Sequence, residues 1–181
     1  MLITDSPDEL IPLFHQGRIF AYPTEAVYGL GCDPDNEAAA LRLIKIKNRP
    51  IEKGLILIAS DFSQVKKYLK PLTKEQVKLT LPSTTTYTFP ALDSTPKWLT
   101  GKFNTLAVRI TKHPLAHQLC HVLNSPLIST SANLSGQPPA KVLQEVINTN
   151  LPIDAILNGK TSGSSAPSII RDGISGYILR S

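Results

Sequence analysis

The chain has 181 residues, a net charge of +5, and 41% hydrophobic against 18% charged residues. That balance excludes intrinsic disorder, and no apolar run approaches the roughly 20 residues of a membrane-spanning helix. Two cysteines, Cys32 and Cys120, exclude a disulfide framework and read as reduced thiols, so the expected location is cytoplasmic. The opening MLITDSPDELIP has no basic stretch followed by an apolar core, so no secretory leader is expected. A single domain over 1–181 is the expectation.

Ser6-Pro7-Asp8-Glu9 reads as a capping box with proline at the first helical position, predicting a short helix to about Gln16. Arg18 to Tyr22 reads as a strand, and Pro23 to Asp35, with Gly29 and Gly31, as a turn-rich loop. Asn36 caps a helix running to about Lys47. Leu55 to Ala59 is a continuous apolar strand buried on both faces. Asp61 to Leu69 and Thr73 to Leu81 read as weaker helices around Pro71. Thr84 to Phe89 and Leu106 to Ile110 are strands. His113 to Asn124 is an amphipathic helix, Leu127 to Thr130 a strand, and Pro139 to Asn148 a helix. Ala155 to Leu157, Ile169 to Arg171 and Tyr177 to Arg180 are short strands. Gly159 to Ala166 is the longest flexible stretch. The alternation predicts an α/β protein: a mixed sheet flanked by helices.

Charge is unevenly spread. Residues 42–112 hold 14 Lys and Arg against 4 Asp and Glu, while the remainder of the chain is acidic. Such a block attracts phosphates, whether of a nucleotide or of a nucleic-acid backbone. Lys66, Lys67, Lys70, Lys74 and Lys78 are equally consistent with solvated helix surface. Lys45, Lys47, Arg49 and Lys53 instead cluster at a helix end.

Several signatures fail. Gly159-Lys160-Thr161 lacks the upstream glycine of a P-loop, and Gly29-Leu30-Gly31 lacks the third glycine of a dinucleotide fingerprint. His113, His117, Cys120 and His121 share one helix, but His117 and His121 fall opposite the apolar stripe that carries Cys120. They read as surface histidines, and no metal site is expected. Ser63-Gln64-Val65-Lys66, Ser131-Ala132-Asn133 and Lys160-Thr161-Ser162 echo the serine acyl enzymes. The third lacks its glycine in register, so that reading is set aside.

Three polar segments beside apolar strands remain, where α/β sheets bind ligands. They are Tyr22 to Gly31, Lys47-Asn48-Arg49-Pro50 entering the strand at Leu55, and Ile128 to Gly136. Lys47 and Arg49 would project to one side of an extended backbone and clamp a polyphosphate. Ser131 and Asn133, also two apart, would present a hydroxyl and an amide to one ligand. Arg109 offers a fork for a carboxylate or phosphate, and Ser168 begins the strand after the flexible loop. Glu25 is the only acid of the first segment and reads as a structural hydrogen bond at the turn rather than a general base.

These residues carry a resemblance. Pro23-Thr24-Glu25 through Gly31, Lys47-x-Arg49, Thr105 through Arg109, Ser131-x-Asn133 and Ile178-Leu179-Arg180 match, in order and spacing, the YrdC family in its short single-domain form. The resemblance covers about Ile11 to Arg180. It implies a concave, positively charged cavity on a twisted mixed sheet. It also implies an enzyme, a nucleotidyltransferase joining L-threonine, bicarbonate or CO2, and ATP. The products would be L-threonylcarbamoyl-adenylate and pyrophosphate, in the first step toward N6-threonylcarbamoyladenosine in tRNA. By the same resemblance Lys47, Arg49, Thr105, Asn133 and Arg180 correspond to ATP-binding positions, with Lys47 and Arg49 catalytic. Thr24, Arg109, Ser131 and Ser168 correspond to threonine-binding positions. Mg2+ would travel with ATP, with no tightly bound cofactor. A downstream transfer complex would take the adenylate, and tRNA or double-stranded RNA is a candidate contact. The alternative is a non-catalytic double-stranded RNA or tRNA-binding module. The chain departs from the family pattern at Gly54, where many members have proline. It departs again at Pro138-Pro139-Ala140-Lys141, where many carry a Ser-Pro step.

Overall fold

A computed structural model describes residues 1–81, 83–164 and 168–180. Ten strands form one mixed sheet among these residues: β1 (Leu2–Thr4), β2 (Phe20–Pro23), β3 (Tyr28–Gly31), β4 (Ile56–Ala59), β5 (Thr86–Pro90), β6 (Thr105–Ile110), β7 (Leu127–Ser131), β8 (Ala155–Leu157), β9 (Ile170–Asp172) and β10 (Ile178–Arg180). Their order across the sheet is β1-β8-β2-β3-β7-β4-β6-β5-β9-β10. Four pairs are parallel (β1/β8, β2/β8, β4/β6, β5/β9) and five antiparallel, which is the mixed sheet expected. The helices are α1 (Ile11–His15), α2 (Glu37–Ile46), α3 (Lys74–Leu79), α4 (Lys97–Thr100), α5 (Pro114–Val122) and α6 (Leu143–Asn148).

Alternation along the strands splits the core into two layers. Ala21, Leu57, Ala59, Ile128 and Ile156 face a larger cluster that takes in Ala39, Ala40 and Leu43 of α2, Leu99 of α4 and Val146 of α6. Phe20, Tyr22, Ile58, Leu127, Ala155 and Leu157 face a smaller cluster against Phe14 of α1 and Ala116, Leu119 and Cys120 of α5. Leu57, Ile58 and Ala59 of β4 are apolar because both faces of the strand are covered there, while Ile56 at its start is only partly buried.

Caps explain several boundaries. Asn36 accepts the Ala39 backbone N–H and starts α2. Thr73 and Gln76 form a reciprocal capping box that starts α3. Ser6 makes no such cap; Thr4 Oγ1 accepts the Ser6 N–H instead, and a 3-10 turn over Pro7–Leu10 leads into a shorter α1 than expected. The expected Asp61–Leu69 helix is two 3-10 turns, Phe62–Gln64 and Lys66–Tyr68. The expected helix from Pro139 begins only at Leu143, because residue 140 is drawn to the sheet. The Ala140 carbonyl accepts the Tyr28 N–H at 2.7 Å, and the Ala140 N–H donates to Ala132.

Three elements were not expected: β1, α4 and β3. Strand β3 lies inside the stretch read as a loop. Gly31 is demanded by packing: a Cβ there would sit 2.4 Å from the Ile128 carbonyl and 2.8 Å from the Tyr22 ring. His113 also differs from expectation. It is buried and caps α5 by accepting the Ala116 N–H, while its Nε2 meets the Lys160 carbonyl at 3.0 Å. The described part of the stretch read as flexible is tethered. Tyr28 Oη donates to the Gly159 carbonyl, and the Ser162 and Ser164 N–H groups donate to the Thr24 and Glu25 carbonyls. Ser165 to Pro167 lie outside the described residues.

Candidate active site

Helix α5 covers only part of its face of the sheet. On that same face, register sets Ser129 of β7 beside Ile56 of β4, Ile56 beside Ala107 of β6, and Ala107 beside Thr88 of β5. This row of modest side chains forms an open floor. The next row sets Ile58 beside Arg109, which brings one arginine to the floor's edge. A cavity of about 250 Å³ lies over it, lined by Thr24, Arg49, Arg109, Ser131, Asn133, Ser168 and Arg180 among others. A second cavity of about 350 Å³ shares Arg49, Leu55, Ile56 and Arg180 with the first and adds Thr105, Thr88, Thr100 and Phe103. No Asp or Glu lines either one among the described residues.

Eight of the nine candidate residues therefore line one of two contiguous hollows. They come from the ends of β2, β6, β7 and β10 and from the segments after α2 and before β9. The exception is Lys47, which is buried (5% exposed) beneath the loop after β7. Its Nζ donates to the carbonyls of Ser131 and Asn133 and to Asn133 Oδ1. Ser131 Oγ donates to the same Oδ1 at 2.6 Å, and Asn133 Nδ2 donates to the Gln137 carbonyl. Lys47 thus clamps the Ser131–Asn133 turn in one conformation.

The expected extended backbone at this pair is corrected. Lys47 is the helical C-cap residue of α2, and Asn48 has φ +45°, in the left-handed region. Arg49 leaves the helix end by that reversal, and its Nε and Nη2 donate to the Gly54 carbonyl at 3.1 and 2.8 Å. Gly54 itself has φ +59°, and a Cβ there would lie 2.9 Å from the carbonyl oxygens of Leu99 and Thr100. The departure from the family's proline is a backbone requirement in this chain.

The remaining candidates are also held. Thr24 Oγ1 donates to the Val27 carbonyl, closing the turn between β2 and β3. Ser168 Oγ and Thr86 Oγ1 share a hydrogen bond at 2.9 Å, and Arg180 Nη2 donates to the Ser168 carbonyl. Ser168 precedes β9 by two residues rather than beginning it.

The electrostatics form a chain of like charges. Burial, then Arg49, pushes Lys47 down to about 8. Burial, then Arg180, lowers Arg49; burial, then Arg109, lowers Arg180. Each cation is made less comfortable by the next. Burial pushes the Glu25 carboxyl up, but Arg109, the Thr111 hydroxyl and backbone N–H groups together hold it below the ordinary range. The sequence offered no local sign that Glu25 and Arg109 meet, 84 residues apart, in an ion pair of 3.3 Å. No group of three or more His, Cys, Asp or Glu side chains able to hold a metal occurs among the described residues, and none of their helices is long and apolar enough to cross a membrane.

The fold is thus a mixed α/β sheet whose open face brings Arg49, Arg109 and Arg180 together with hydroxyls and an amide. The Sua5/YciO/YrdC family model, described as telomere recombination, matches residues 13–181, and the chain belongs to that family. A threonylcarbamoyl-AMP synthase of Enterobacter sp. (strain 638) is 47% identical over 177 residues, covering 95% of this chain and 93% of the relative. The structure of P. abyssi Sua5 complexed with L-threonine superposes with a TM-score of 0.85 at 27% identity, over 94% of this chain. This chain spans about half of that longer protein (53%). E. coli YciO shares the fold, with a TM-score of 0.79 at 23% identity, over 99% of this chain and 92% of YciO.

Proposed function

We infer that the chain is a threonylcarbamoyl-AMP synthase, converting L-threonine, bicarbonate or CO2, and ATP to L-threonylcarbamoyl-adenylate and pyrophosphate. The observation that carries this reading is the run of cations Lys47, Arg49 and Arg180, each depressed first by burial and then by the next cation along, with Arg109 at the end of the run. A ligand with several negative charges relieves such a run, and a triphosphate is such a ligand.

Arg49 and Arg180 line both cavities and are assigned to the triphosphate, with Thr105 and Asn133 as polar contacts to the nucleotide. Lys47 adds its charge from behind the wall while fixing Asn133. Arg109, with Thr24, Ser131 and Ser168, takes the amino acid; its planar fork suits the carboxylate. Threonine's amine captures CO2 as a carbamate. A carbamate oxygen then attacks the α-phosphorus, and pyrophosphate leaves with its charge neutralised. Positioning and preorganised charge carry such a step without a covalent enzyme intermediate. Mg2+ enters with ATP as part of the substrate. The adenylate then passes to a threonylcarbamoyl-transfer complex that modifies tRNA, in the cytoplasm, and the basic block is available for contact with that tRNA.

Pyrophosphate release from ATP tests the reading. Release that requires both L-threonine and bicarbonate supports it. Release without threonine, or none at all, contradicts it.

A further inference from the structure

Arg109 is held from outside the cavity by a group that the cavity wall does not include. Glu25 is buried (5% exposed) and is absent from the lining. Its Oε1 accepts the Thr111 hydroxyl at 2.7 Å and the Lys112 N–H at 3.2 Å. Its Oε2 lies 3.3 Å from Arg109 Nη2 in an ion pair, with no hydrogen-bond partner of its own among the described residues, and both side chains are about nine-tenths buried. We propose that Glu25 is a positioning residue for the amino-acid substrate: anchored by Thr111 and the Lys112 backbone, it fixes the Arg109 guanidinium as the receptor for the substrate carboxylate. This rests on the assignment of Arg109 to that carboxylate.

Three features carry the proposal. A guanidinium this deeply buried needs a counter-charge before any substrate arrives, and Glu25 is the acid that supplies it. The counter-charge leaves donors unspent: Arg109 Nε is buried and has no hydrogen-bond partner among the described residues. The carboxylate itself cannot swing, because two donors converge on Oε1 and Thr111 Oγ1 in turn accepts the His113 N–H. Pairing makes Glu25 and Arg109 together neutral, so a substrate carboxylate is recognised by directed N–H groups more than by net charge.

The arrangement makes glutamine a sharp probe. Two donors would hold the amide oxygen of Glu25→Gln at the Oε1 position. The amide NH2 would then face Arg109 Nη2, donor against donor. Arg109 loses its orientation while the volume of the side chain is kept.

The test is calorimetric binding of L-threonine and of L-threonine amide, which lacks the carboxylate charge, to the full chain and to Glu25→Gln. The proposal expects affinity for L-threonine to fall roughly 10- to 100-fold while affinity for the amide stays within about threefold. An equal loss for both ligands means a structural role and overturns the proposal, as does an unchanged affinity for threonine. If the unsubstituted protein binds no L-threonine, the assignment of Arg109 falls first, and the proposal with it. Should Glu25→Gln fail to fold, Thr111→Val and Thr111→Ser decide instead. Valine removes the anchor and should reproduce the selective loss, whereas serine keeps the hydroxyl and should retain affinity. Equal behaviour of the two overturns the proposal.

Discussion

Replacing Lys47 with methionine keeps the length of the side chain and removes the ammonium. Three acceptors lose a donor, unequally. The Ser131 carbonyl keeps the Asn133 N–H, and Asn133 Oδ1 keeps the Ser131 hydroxyl. The Asn133 carbonyl is left with none of its recorded donors, a cost of about 1–3 kcal/mol. Part of that is offset, because methionine does not pay the desolvation that depresses the lysine. The melting temperature should fall by only a few degrees, about 2–8 °C. The effect on catalysis should be larger. The mutation removes a positive charge beside Arg49 and frees the Ser131–Asn133 turn, so kcat/KM for ATP should fall about 100- to 1,000-fold, the usual size for loss of a preorganised charge. Pyrophosphate release at varied ATP, with a thermal melt of the same samples, separates the two effects. A variant within about threefold of the parent in kcat/KM would refute the reasoning.

Other outcomes follow from the same geometry. Gly54→Ala forces a Cβ against two carbonyl oxygens at φ +59° and displaces the acceptor of Arg49. A thermal melt should show a loss of about 1–3 kcal/mol together with a raised KM for ATP; an unchanged melt would contradict the account. The pH dependence has opposite signs for folding and for binding. Lys47 titrates near 8 when folded and near its ordinary 10.5 when unfolded. Between these values the unfolded chain binds the extra proton, so this residue's contribution to stability rises with pH. A polyphosphate favours the charged amine, so ATP affinity should fall over the same window, approaching tenfold per pH unit. Titrations at pH 7 to 10 check this, and an ATP affinity that is flat to pH 10 would exclude charged Lys47 from the site.

Much of this could be read from the sequence, where the signal was local. Asn36 and Thr73 start helices as their side chains demand, and the apolar run of β4 reflects cover on both faces over residues 57–59. The polar segments do meet at one hollow, because Thr24, Ser131 and Arg109 all sit at strand ends on the same sheet face. What escaped the sequence was set by contacts between distant residues. Strand β3 read as a loop because its glycines resemble turn residues, when packing against Tyr22 and Ile128 is what requires Gly31. Strand β1 is exposed at two of its three residues and is held by pairing with β8, so it has no alternating signature. Lys47 and Arg49 were expected to share an extended face. The left-handed Asn48 separates them instead, turning one inward as an anchor and sending the other to the cavity wall. The Glu25–Arg109 pair depends on the turn after β2 reaching the C-terminal end of β6, which no spacing in the sequence encodes.

The most direct test of the central claim is pyrophosphate release from ATP by the purified chain, with L-threonine and bicarbonate each present or withheld. The account predicts release only when both are supplied, with formation of L-threonylcarbamoyl-adenylate. Release indifferent to threonine, or none under any combination, would contradict it.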